Sequence, residues 1–244
     1  FTAEFVGIPA ITTDFRAIKS DFEVSMIEKA QSITDAAFDH ILGYIKPGLT
    51  ETDVAAELEF FMKKKGAQCP AFETIAVSGK KSSMPHGVPE SIVLTENSFL
   101  TMDFGAKYNG YCSDMTRTVV LGKADDEMKR VYNTVLEAQL AGIAAAHGGA
   151  LGKDVDKAAR DIIDNAGYKG LFGHSLGHSL GIEIHENPRF APKFDKECPV
   201  QSIITVEPGI YIPGKYGVRI EDMVLLGKDG CRDLTHSPKQ LIEI

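Results

Sequence analysis

Cysteines and long apolar runs are both scarce in this 244-residue sequence. Its four cysteines are far apart and form no Cys-x-x-Cys pair, so nothing indicates a short disulfide framework. That usage fits a reducing compartment, and we expect a cytoplasmic protein. No stretch approaches the roughly 18 apolar residues of a membrane helix, and residues 1–20 lack the pattern of a signal peptide. We therefore expect no membrane partner.

Positive charge is also limited in this sequence. The chain carries 34 acidic and 26 basic residues, which gives a net charge of −8, and no basic run is longer than residues 63–65. This balance argues against nucleic acid and anionic membranes as partners. We interpret the three consecutive lysines as a solvated helix end that complements the helix dipole.

Several common catalytic signatures are missing as well. The sequence contains no GxSxG elbow, no Cys/His nucleophile signature, no P-loop and no GxGxxG motif. It therefore gives no sign of a serine or cysteine nucleophile or of a nucleotide-binding loop. Any catalytic chemistry has to come from other residues.

The order of helix and strand signals predicts an α+β protein. Residues 1–19 are expected to be irregular, and Ser20-Asp-Phe-Glu23 reads as a capping box that begins a helix. Short apolar runs separated by turn residues predict strands from residue 72 to residue 121 and again after residue 200. Helices are predicted from Ser20 to about Lys46, from Thr50 to Lys65, from about Asp126 to Ala146, and from Val155 to Asn165.

The two halves of the chain carry a weak internal repeat. Residues 48–54 and 149–155 match at glycine, aspartate and valine with a constant offset of 101 residues, and Gly66 and Gly167 match at the same offset. Each stretch of helices is followed by strands, which supports an internal duplication. We expect one domain of two related halves, each with an antiparallel sheet and outer helices, around a cleft.

Two aspartates interrupt apolar strand sequence in residues 101–118. We expect two strands joined around Lys107 to Gly110, with Asp103 and Asp114 at nearly matching heights. A carboxylate on a half-buried strand is unfavourable unless it is compensated, and two facing carboxylates repel each other. A shared cation would resolve both problems.

Two glutamates occupy similar settings near the end of the chain. Glu207 ends an apolar strand before a Pro-Gly break, and Glu221 is expected in the middle of another strand. The period of two places Arg219, Glu221 and Met223 on one face. A surface ion pair between Arg219 and Glu221 is the alternative interpretation. Asp222, on the opposite face, is expected to be exposed and without function.

A glycine-rich segment, residues 173–188, supplies the remaining candidate. It contains His174, His178 and His185, three of the seven histidines of the chain. Glycines allow the backbone to approach a crowded centre, and an imidazole supplies a nitrogen ligand. A structural role for any single histidine is the alternative.

Four carboxylates and one imidazole would form a mostly oxygen-donor site. That much negative charge indicates two divalent ions rather than one, with Mn²⁺ as our first expectation and Co²⁺, Fe²⁺ or Zn²⁺ also suitable. Two ions about 3.5–4 Å apart hold a bridging hydroxide and polarise a substrate carbonyl. The sequence therefore predicts a two-metal hydrolytic site.

These segments resemble the pita-bread metallopeptidases, and within them the proline-specific branch of Xaa-Pro dipeptidases (prolidases) and Xaa-Pro aminopeptidases. The resemblance rests on MDFGAKYNGYCSDMTRT, GHSLGHSLGIEIHENP, TVEPGIY and GVRIEDMV. Spacings of 11, 64, 29 and 14 residues between the candidate ligands fit this branch, whereas methionine aminopeptidases usually have a longer gap between the glutamates.

The resemblance implies a role for each candidate residue. The implied metal ligands are Asp103, Asp114, His178, Glu207 and Glu221. Glu207 would also act as the general base, His86 would contact the substrate, and His185 would stabilise the tetrahedral intermediate. Tyr211 and Arg219 would form a hydrogen-bonded pair beside the metals.

The resemblance also implies short peptides as substrates and leaves a homodimer open. Proline-specific relatives commonly carry a separate N-terminal domain, so residues 1–19 would be a linker or a remnant of one, and residues 20–244 the catalytic domain. Aminopeptidase and dipeptidase activity both remain open. The alternatives are a methionine-aminopeptidase-like or creatinase-like hydrolase, and a non-catalytic peptide-binding module on the same fold.

Overall fold

The computed structural model describes residues 11–244, together with Ala3 and Gly7. Two long helices precede each of two groups of strands, as the sequence predicts. The helices are α1 (Ile11–Ala17), α2 (Asp21–Tyr44), α3 (Glu51–Lys64), α4 (Asp126–Ala145) and α5 (Gly152–Ile163). A 3₁₀ turn occupies Gly79–Ser83, and a π-helical turn occupies Asp164–Tyr168.

The predicted start of α2 is confirmed in detail. The Ser20 hydroxyl accepts a hydrogen bond from the Glu23 backbone N–H, and the Glu23 carboxylate accepts one from the Ser20 backbone N–H. Such reciprocal capping satisfies two backbone donors that the first helical turn leaves free. Thr50 and Asp53 form the same arrangement at the start of α3.

The prediction that residues 1–19 are irregular is wrong for residues 11–17, which form α1. This helix is only seven residues long and lies against the strand Glu186–Phe190 of the second half. A helix this short is stabilised by packing rather than by intrinsic propensity, so its own sequence predicts it poorly. Apart from Ala3 and Gly7, the earlier part of the predicted irregular segment lies outside the described residues.

The strands pair with one another in antiparallel fashion, and an isolated parallel bridge joins Val120 to Glu243. The strands are β1 (Cys69–Pro70), β2 (Ile75–Ser78), β3 (Ser98–Phe104), β4 (Ala106–Tyr108), β5 (Tyr111–Cys112), β6 (Met115–Leu121), β7 (Gly177–Ser179), β8 (Glu186–Phe190), β9 (Ile203–Val206), β10 (Gly209–Ile212), β11 (Tyr216–Arg219), β12 (Asp222–Leu226) and β13 (Cys231–Asp233). The first half contains a sheet in the order β2-β3-β6 and a small sheet β1-β4-β5, and the second half contains a sheet β13-β12-β9-β7-β8 and the hairpin β10-β11.

Each half buries its own apolar core between helices and sheet. Helices α2 and α3 pack on the first sheet through side chains such as Phe38 and Leu58. Helices α4 and α5 cover the second sheet through side chains such as Val135 and Ile163. Each of these four is fully buried, which stabilises the fold by about 1.5–3 kcal/mol per side chain. The predicted α+β architecture of two helix-covered antiparallel halves is confirmed.

Equivalent positions in the two halves have equivalent backbone conformations. Helices α3 and α5 begin 101 residues apart, the offset of the sequence repeat. Gly48 and Gly149 have φ of 94° and 90°, and Gly66 and Gly167 have φ of 106° and 92°. Only glycine adopts these values readily, so the matched glycines preserve matched turns. The geometry supports the predicted duplication.

In residues 11–244, no helix combines the length and the apolar character needed to cross a lipid bilayer.

Candidate metal centre

A cavity of about 260 Å³ lies between the two halves. Strands β2 and β3 of the first half and strands β7, β8 and β11 of the second half contribute residues to its wall. All of the predicted site residues line it except Tyr211, and they are His86, Asp103, Asp114, His178, His185, Glu207, Arg219 and Glu221. The fold therefore brings together side chains that lie far apart in the sequence.

Asp103 and Asp114 lie on the two sides of the predicted hairpin. The predicted join around Lys107 to Gly110 is confirmed, but β4 and β5 form a separate short hairpin at this turn instead of continuing β3 and β6. Asp103 lies opposite Thr116 in the β3–β6 ladder, and Asp114 comes just before that ladder begins. A Cβ at Gly105 would lie 1.9 Å from the Ser113 carbonyl oxygen, so only glycine permits this crossing.

The two glutamates follow different local structures. Glu207 directly follows β9, as predicted. Glu221 does not lie in the middle of a strand, because it occupies the break between β11 and β12. There its backbone N–H donates to the Thr116 carbonyl at 3.1 Å, and its Oε2 accepts from the Thr116 hydroxyl at 2.6 Å. These two hydrogen bonds to Thr116 join the second half of the fold to β6 of the first half.

Three side chains already have metal-ligand geometry. One donor atom each from Asp114, His178 and Glu221 lies within 4.8 Å of the others. The His178 Nε2 atom is 3.6 Å from Asp114 Oδ2 and 3.5 Å from Glu207 Oε1. Two ligands about 2.1 Å from one ion are about 3.4 Å apart at a tetrahedral angle. These separations fit ligands that share a cation.

The His178 ring presents the correct atom to this group. Its Nδ1 lies 3.1 Å from the Ser179 carbonyl oxygen, which can only accept, so the proton is on Nδ1. The Nε2 lone pair then points toward the carboxylates, in the arrangement by which a carbonyl orients a ligating histidine. Burial lowers the pKa of His178 to about 3, which keeps the ring neutral.

Asp103 provides a further test of whether the site fits a cation. Its Oδ2 accepts from Arg219 Nη2 at 2.6 Å, but its buried Oδ1 has no hydrogen-bond partner among the described residues. A buried carboxylate oxygen without a partner is strongly unfavourable, and a metal ion would satisfy it. The donor set of carboxylate oxygens and one imidazole therefore fits divalent metal ions.

The carboxylates also perturb one another electrostatically. Burial raises the pKa of Glu207 to about 8, and Asp103 contributes to the rise. Burial raises the pKa of Asp114 and of Glu221 well above the usual range, and the neighbouring carboxylates add to both shifts. Anions packed this closely are unstable without a counter-charge, and a bound cation reverses that effect.

Arg219 and Tyr211 form the predicted hydrogen-bonded pair. The Tyr211 hydroxyl accepts from Arg219 Nη1 at 2.8 Å and lies 2.8 Å from His174 Nε2. Burial raises the pKa of Tyr211 to about 12, so its hydroxyl keeps a proton to donate to His174. Arg219 is 3% exposed and pairs with Asp103, so the alternative of a surface pair between Arg219 and Glu221 is wrong.

His86, His185 and an unpredicted arginine complete the cavity wall. The His185 ring centre is 4.4 Å from that of His178. Arg189 lies opposite His178 in the β7–β8 pairing and also lines the cavity. In β8, buried Pro188 and Phe190 alternate with exposed Arg189, as in a typical strand. This alternation does not reveal that the face carrying Arg189 borders a cleft.

The prediction for Asp222 is wrong. This side chain is fully buried, and its carboxylate accepts from Arg117 Nη2 at 2.7 Å and from Gln139 Nε2 at 2.7 Å. Lys239 is a third donor. The β-strand period placed Asp222 opposite Glu221 correctly, but α4 and the C-terminal segment cover that face of the sheet.

Comparison with known proteins supports the metal centre that this geometry indicates. The family model for metallopeptidase family M24 matches residues 25–228. An uncharacterized peptidase, YqhT, of Bacillus subtilis is 45% identical over 240 residues, which cover 98% of this chain and 68% of the relative. A Xaa-Pro dipeptidase of Pyrococcus furiosus is 43% identical over 239 residues, which cover 98% of this chain and 69% of the relative.

Solved structures agree with the sequence relatives. A Xaa-Pro dipeptidase from Bacillus anthracis has a TM-score of 0.98 and 47% identity, over 99% of this chain and 68% of that one. An X-Pro aminopeptidase from Thermotoga maritima has a TM-score of 0.96 and 41% identity, over the same shares of the two chains. This chain thus spans about two thirds of the length of these proteins. It has the predicted pita-bread fold and belongs to metallopeptidase family M24.

Proposed function

We propose that this protein is a dinuclear-metal-dependent exopeptidase that hydrolyses the Xaa-Pro bond at the N-terminus of short peptides or in dipeptides. The observation that carries the proposal is the convergence of one neutral imidazole nitrogen and several buried carboxylates, one with an unpartnered oxygen, on a single cavity. The proline preference is supported by the relatives named as Xaa-Pro peptidases.

Five side chains would hold two ions, with Mn²⁺ as the first candidate and Co²⁺, Fe²⁺ or Zn²⁺ as alternatives. When bound, these ions supply Lewis acidity that polarises the scissile carbonyl and activates water. The proposed ligands are Asp103, Asp114, His178, Glu207 and Glu221. Arg219 holds Asp103 in place, and Thr116 does the same for Glu221.

Glu207 is placed to move a proton. Its carboxyl lines the cavity, where it would accept a proton and release it to the imino nitrogen of the departing residue. Thr205 donates to Glu207 Oε1 at 3.0 Å and fixes its orientation. The other carboxylate oxygen, Oε2, accepts no hydrogen bond from residues 11–244 and would serve this role.

His185 and His86 would act on the substrate itself. Burial lowers the pKa of His185, so the ring is neutral and offers one N–H to the oxygen that becomes negative in the transition state. His86 lines the same cavity and would contact the peptide. Tyr211 and Arg219 would keep this wall of the site rigid through His174 and Asp103.

Arg189 favours the dipeptidase activity. It lines the cavity, and none of the ion pairs within residues 11–244 includes it. A dipeptide substrate carries a free carboxylate close to the scissile bond, and a guanidinium binds such a group through two parallel hydrogen bonds. A longer peptide has no charge at that position.

The remaining expectations stay proposals. Residues 20–244 would be the catalytic domain, and because α1 packs against β8 we count residues 11–19 with it rather than as a linker. The four unpaired cysteines support a cytoplasmic location. The homodimer that the resemblance leaves open also stays a proposal.

The decisive assay compares peptides in the presence of Mn²⁺ or Co²⁺. We expect hydrolysis of Ala-Pro and of Ala-Pro-Ala, and no hydrolysis of Ala-Ala or Met-Ala. An Asp114→Asn variant is expected to be inactive. Hydrolysis of Met-Ala without Xaa-Pro hydrolysis would favour the methionine-aminopeptidase alternative. Hydrolysis of creatine by wild type and Asp114→Asn alike would favour the creatinase alternative, and peptide binding without turnover the non-catalytic module.

A further inference from the structure

A buried lysine lies behind the histidine side of the cavity. Lys19 precedes the N-cap of α2 and is only 2% exposed. Its ammonium donates to the Arg16 carbonyl at 2.7 Å, to the Ser179 hydroxyl at 3.1 Å and to Glu186 Oε2 at 3.1 Å. Its three N–H groups are therefore all used. Nearly complete burial of a lysine requires such compensation.

Glu186, the partner of Lys19, anchors a loop. The carboxylate is buried, and its Oε1 accepts from the backbone N–H groups of Ile182 and Glu183, each at 3.1 Å. A Cβ at Gly181 would lie 3.1 Å from Glu186 Oε2 and 3.3 Å from Lys19 Cε, so the loop backbone packs directly on the ion pair. The pair thus fixes the loop between β7 and β8 from inside.

This loop positions both histidines of the cavity wall. His178 immediately precedes Ser179, which accepts from Lys19, and His185 immediately precedes Glu186. The two rings are in contact, with centres 4.4 Å apart. A displacement of the buried pair would therefore move the two imidazoles together.

The lysine itself lies outside the part of the chain that defines the family. The family match begins at residue 25, and Lys19 belongs to a segment whose sequence indicates no catalytic role. Two further links tie this segment to the second half. The Lys19 backbone N–H donates to the Gln201 carbonyl at 2.8 Å, and Arg16 forms an ion pair with Glu183 at 2.9 Å.

We propose that Lys19 is a positioning residue for the active site, which acts through Glu186 to hold the 180–185 loop between β7 and β8 so that His178 and His185 face the carboxylates. The segment before the family domain is thereby part of the catalytic unit. Loss of the ammonium would leave the Glu186 carboxylate buried without a counter-charge. The Glu186 carboxylate would turn toward water. Its hydrogen bonds from the backbone N–H groups of Ile182 and Glu183 would then be lost.

The test uses four variants of the full chain. Lys19→Met removes the charge and keeps the length of the side chain, and Glu186→Gln keeps an oxygen acceptor for the loop. The double variant Lys19→Met/Glu186→Gln removes both charges, so no ion is left unpaired. Arg16→Met is the matched control, because its ion pair with Glu183 of the same loop has side chains 34% and 65% exposed and should contribute little.

The first readout is independent of metal and of activity. NMR signals of isotope-labelled histidine rings are recorded for metal-free protein, at a temperature at which circular dichroism shows every variant folded. We expect Lys19→Met to shift or broaden the signals of His178 and His185 and to leave those of His40 and His236 unchanged. The double variant should return most of the wild-type spectrum, and Arg16→Met should match the wild type.

The second readout rests on the proposed function. With Mn²⁺ and a Xaa-Pro dipeptide, we expect Lys19→Met to lower kcat by between about 10-fold and 100-fold with KM little changed, as misplaced catalytic groups do.

Wild-type signals for His178 and His185 in Lys19→Met, or equal shifts in Arg16→Met, would overturn the proposal. If Lys19→Met does not fold, Glu186→Gln, which also breaks the buried ion pair, decides: displaced His178 and His185 signals support the proposal, and wild-type signals contradict it. Absence of any Xaa-Pro hydrolysis by the wild type would contradict the proposed function alone.

Discussion

Arg117 on β6 and Asp222 on β12 form an ion pair of 2.7 Å that links the two halves of the fold, with side chains 1% and 0% exposed. The Arg117 guanidinium also donates to the backbone carbonyls of Thr116, Glu221, Ser237 and Pro238. The Arg117 side chain therefore fixes the backbone at the proposed metal ligand Glu221 and holds the C-terminal segment at Ser237 and Pro238.

We predict that Asp222→Asn lowers the free energy of unfolding by about 3 kcal/mol, because it leaves the Arg117 charge buried without a partner. Urea denaturation followed by circular dichroism measures the change. Asp161→Asn is the matched control, since its ion pair with Lys157 is exposed and its loss should cost less than about 1 kcal/mol. Equal stability of Asp222→Asn and wild type would show that the pair is dispensable.

Metal binding should stabilise the folded protein. An ion that binds only the native state adds about 2.7 kcal/mol when its concentration is 100 times Kd. We predict a higher Tm for the wild type on addition of Mn²⁺ after chelator treatment, and little or no rise for Asp114→Asn. Scanning calorimetry with and without Mn²⁺ measures both. A rise in Asp114→Asn equal to that of the wild type would remove this residue from the ligand set.

Arg219 should not be replaceable by lysine. Its guanidinium reaches Asp103, the Tyr211 hydroxyl, the Thr116 hydroxyl and the Pro85 carbonyl at the same time. A lysine ammonium cannot reproduce this fork of donors. We predict that Arg219→Lys lowers kcat by about 100-fold through displacement of Asp103. Arg232→Lys, at an exposed ion pair with Glu28, is the control and should retain wild-type kinetics.

Arg189 should separate dipeptides from longer substrates. A charge-assisted hydrogen bond contributes about 1.5–3 kcal/mol, which corresponds to about 10-fold to 100-fold in binding. We predict that Arg189→Met raises KM for Ala-Pro by that factor and changes KM for the amide Ala-Pro-NH₂ far less. Steady-state kinetics with the two substrates test it. An equal rise for both would mean that Arg189 does not bind the substrate carboxylate.

The cysteines give a prediction about pH. Burial raises the pKa of Cys112 and Cys231 to about 11 and that of Cys198 to about 12, from an ordinary value of 9.0. A raised folded pKa means that these thiols favour the native state below pH 9.0 and lose that contribution as the pH rises toward 11 or 12. We therefore predict a free energy of unfolding that falls above about pH 9.

The same burial predicts selective thiol chemistry. A disulfide reagent at neutral pH should label exposed Cys69 rapidly and buried Cys112 and Cys198 only after unfolding. Mass spectrometry of labelled native protein identifies the modified residue. Rapid labelling of Cys112 or Cys198 in native protein would contradict the buried environment of these thiols, and Cys69→Ser should remove the fast phase.

Local patterns explain which parts of this structure the sequence predicts. Capping residues such as Ser20 act on atoms three positions away, and Glu207 stands out because it ends an apolar strand. The burial of Asp222 is not predictable from the local pattern, because its partners Arg117 and Gln139 are 105 and 83 residues away in the sequence. Alternation along one strand shows which face a side chain occupies, but not what covers that face.

The contribution of the N-terminal segment was missed for the same reason. Lys19 and Glu186 are 167 residues apart, and an isolated lysine before a helix cap has the pattern of a solvent-exposed residue. The short helix α1 has seven residues and packs against a strand of the other half. Both features arise only when the two halves assemble.

The repeat of 101 residues also has a consequence for the metal ions. Strand β7 follows β2 at that offset, so Val77 of the first half is the counterpart of His178 of the second. The carboxylates come in pairs from the two halves, whereas the imidazole comes from only one of them. Two ions bound here would consequently be inequivalent, and the ion beside His178 would differ from its neighbour in affinity and in preferred element.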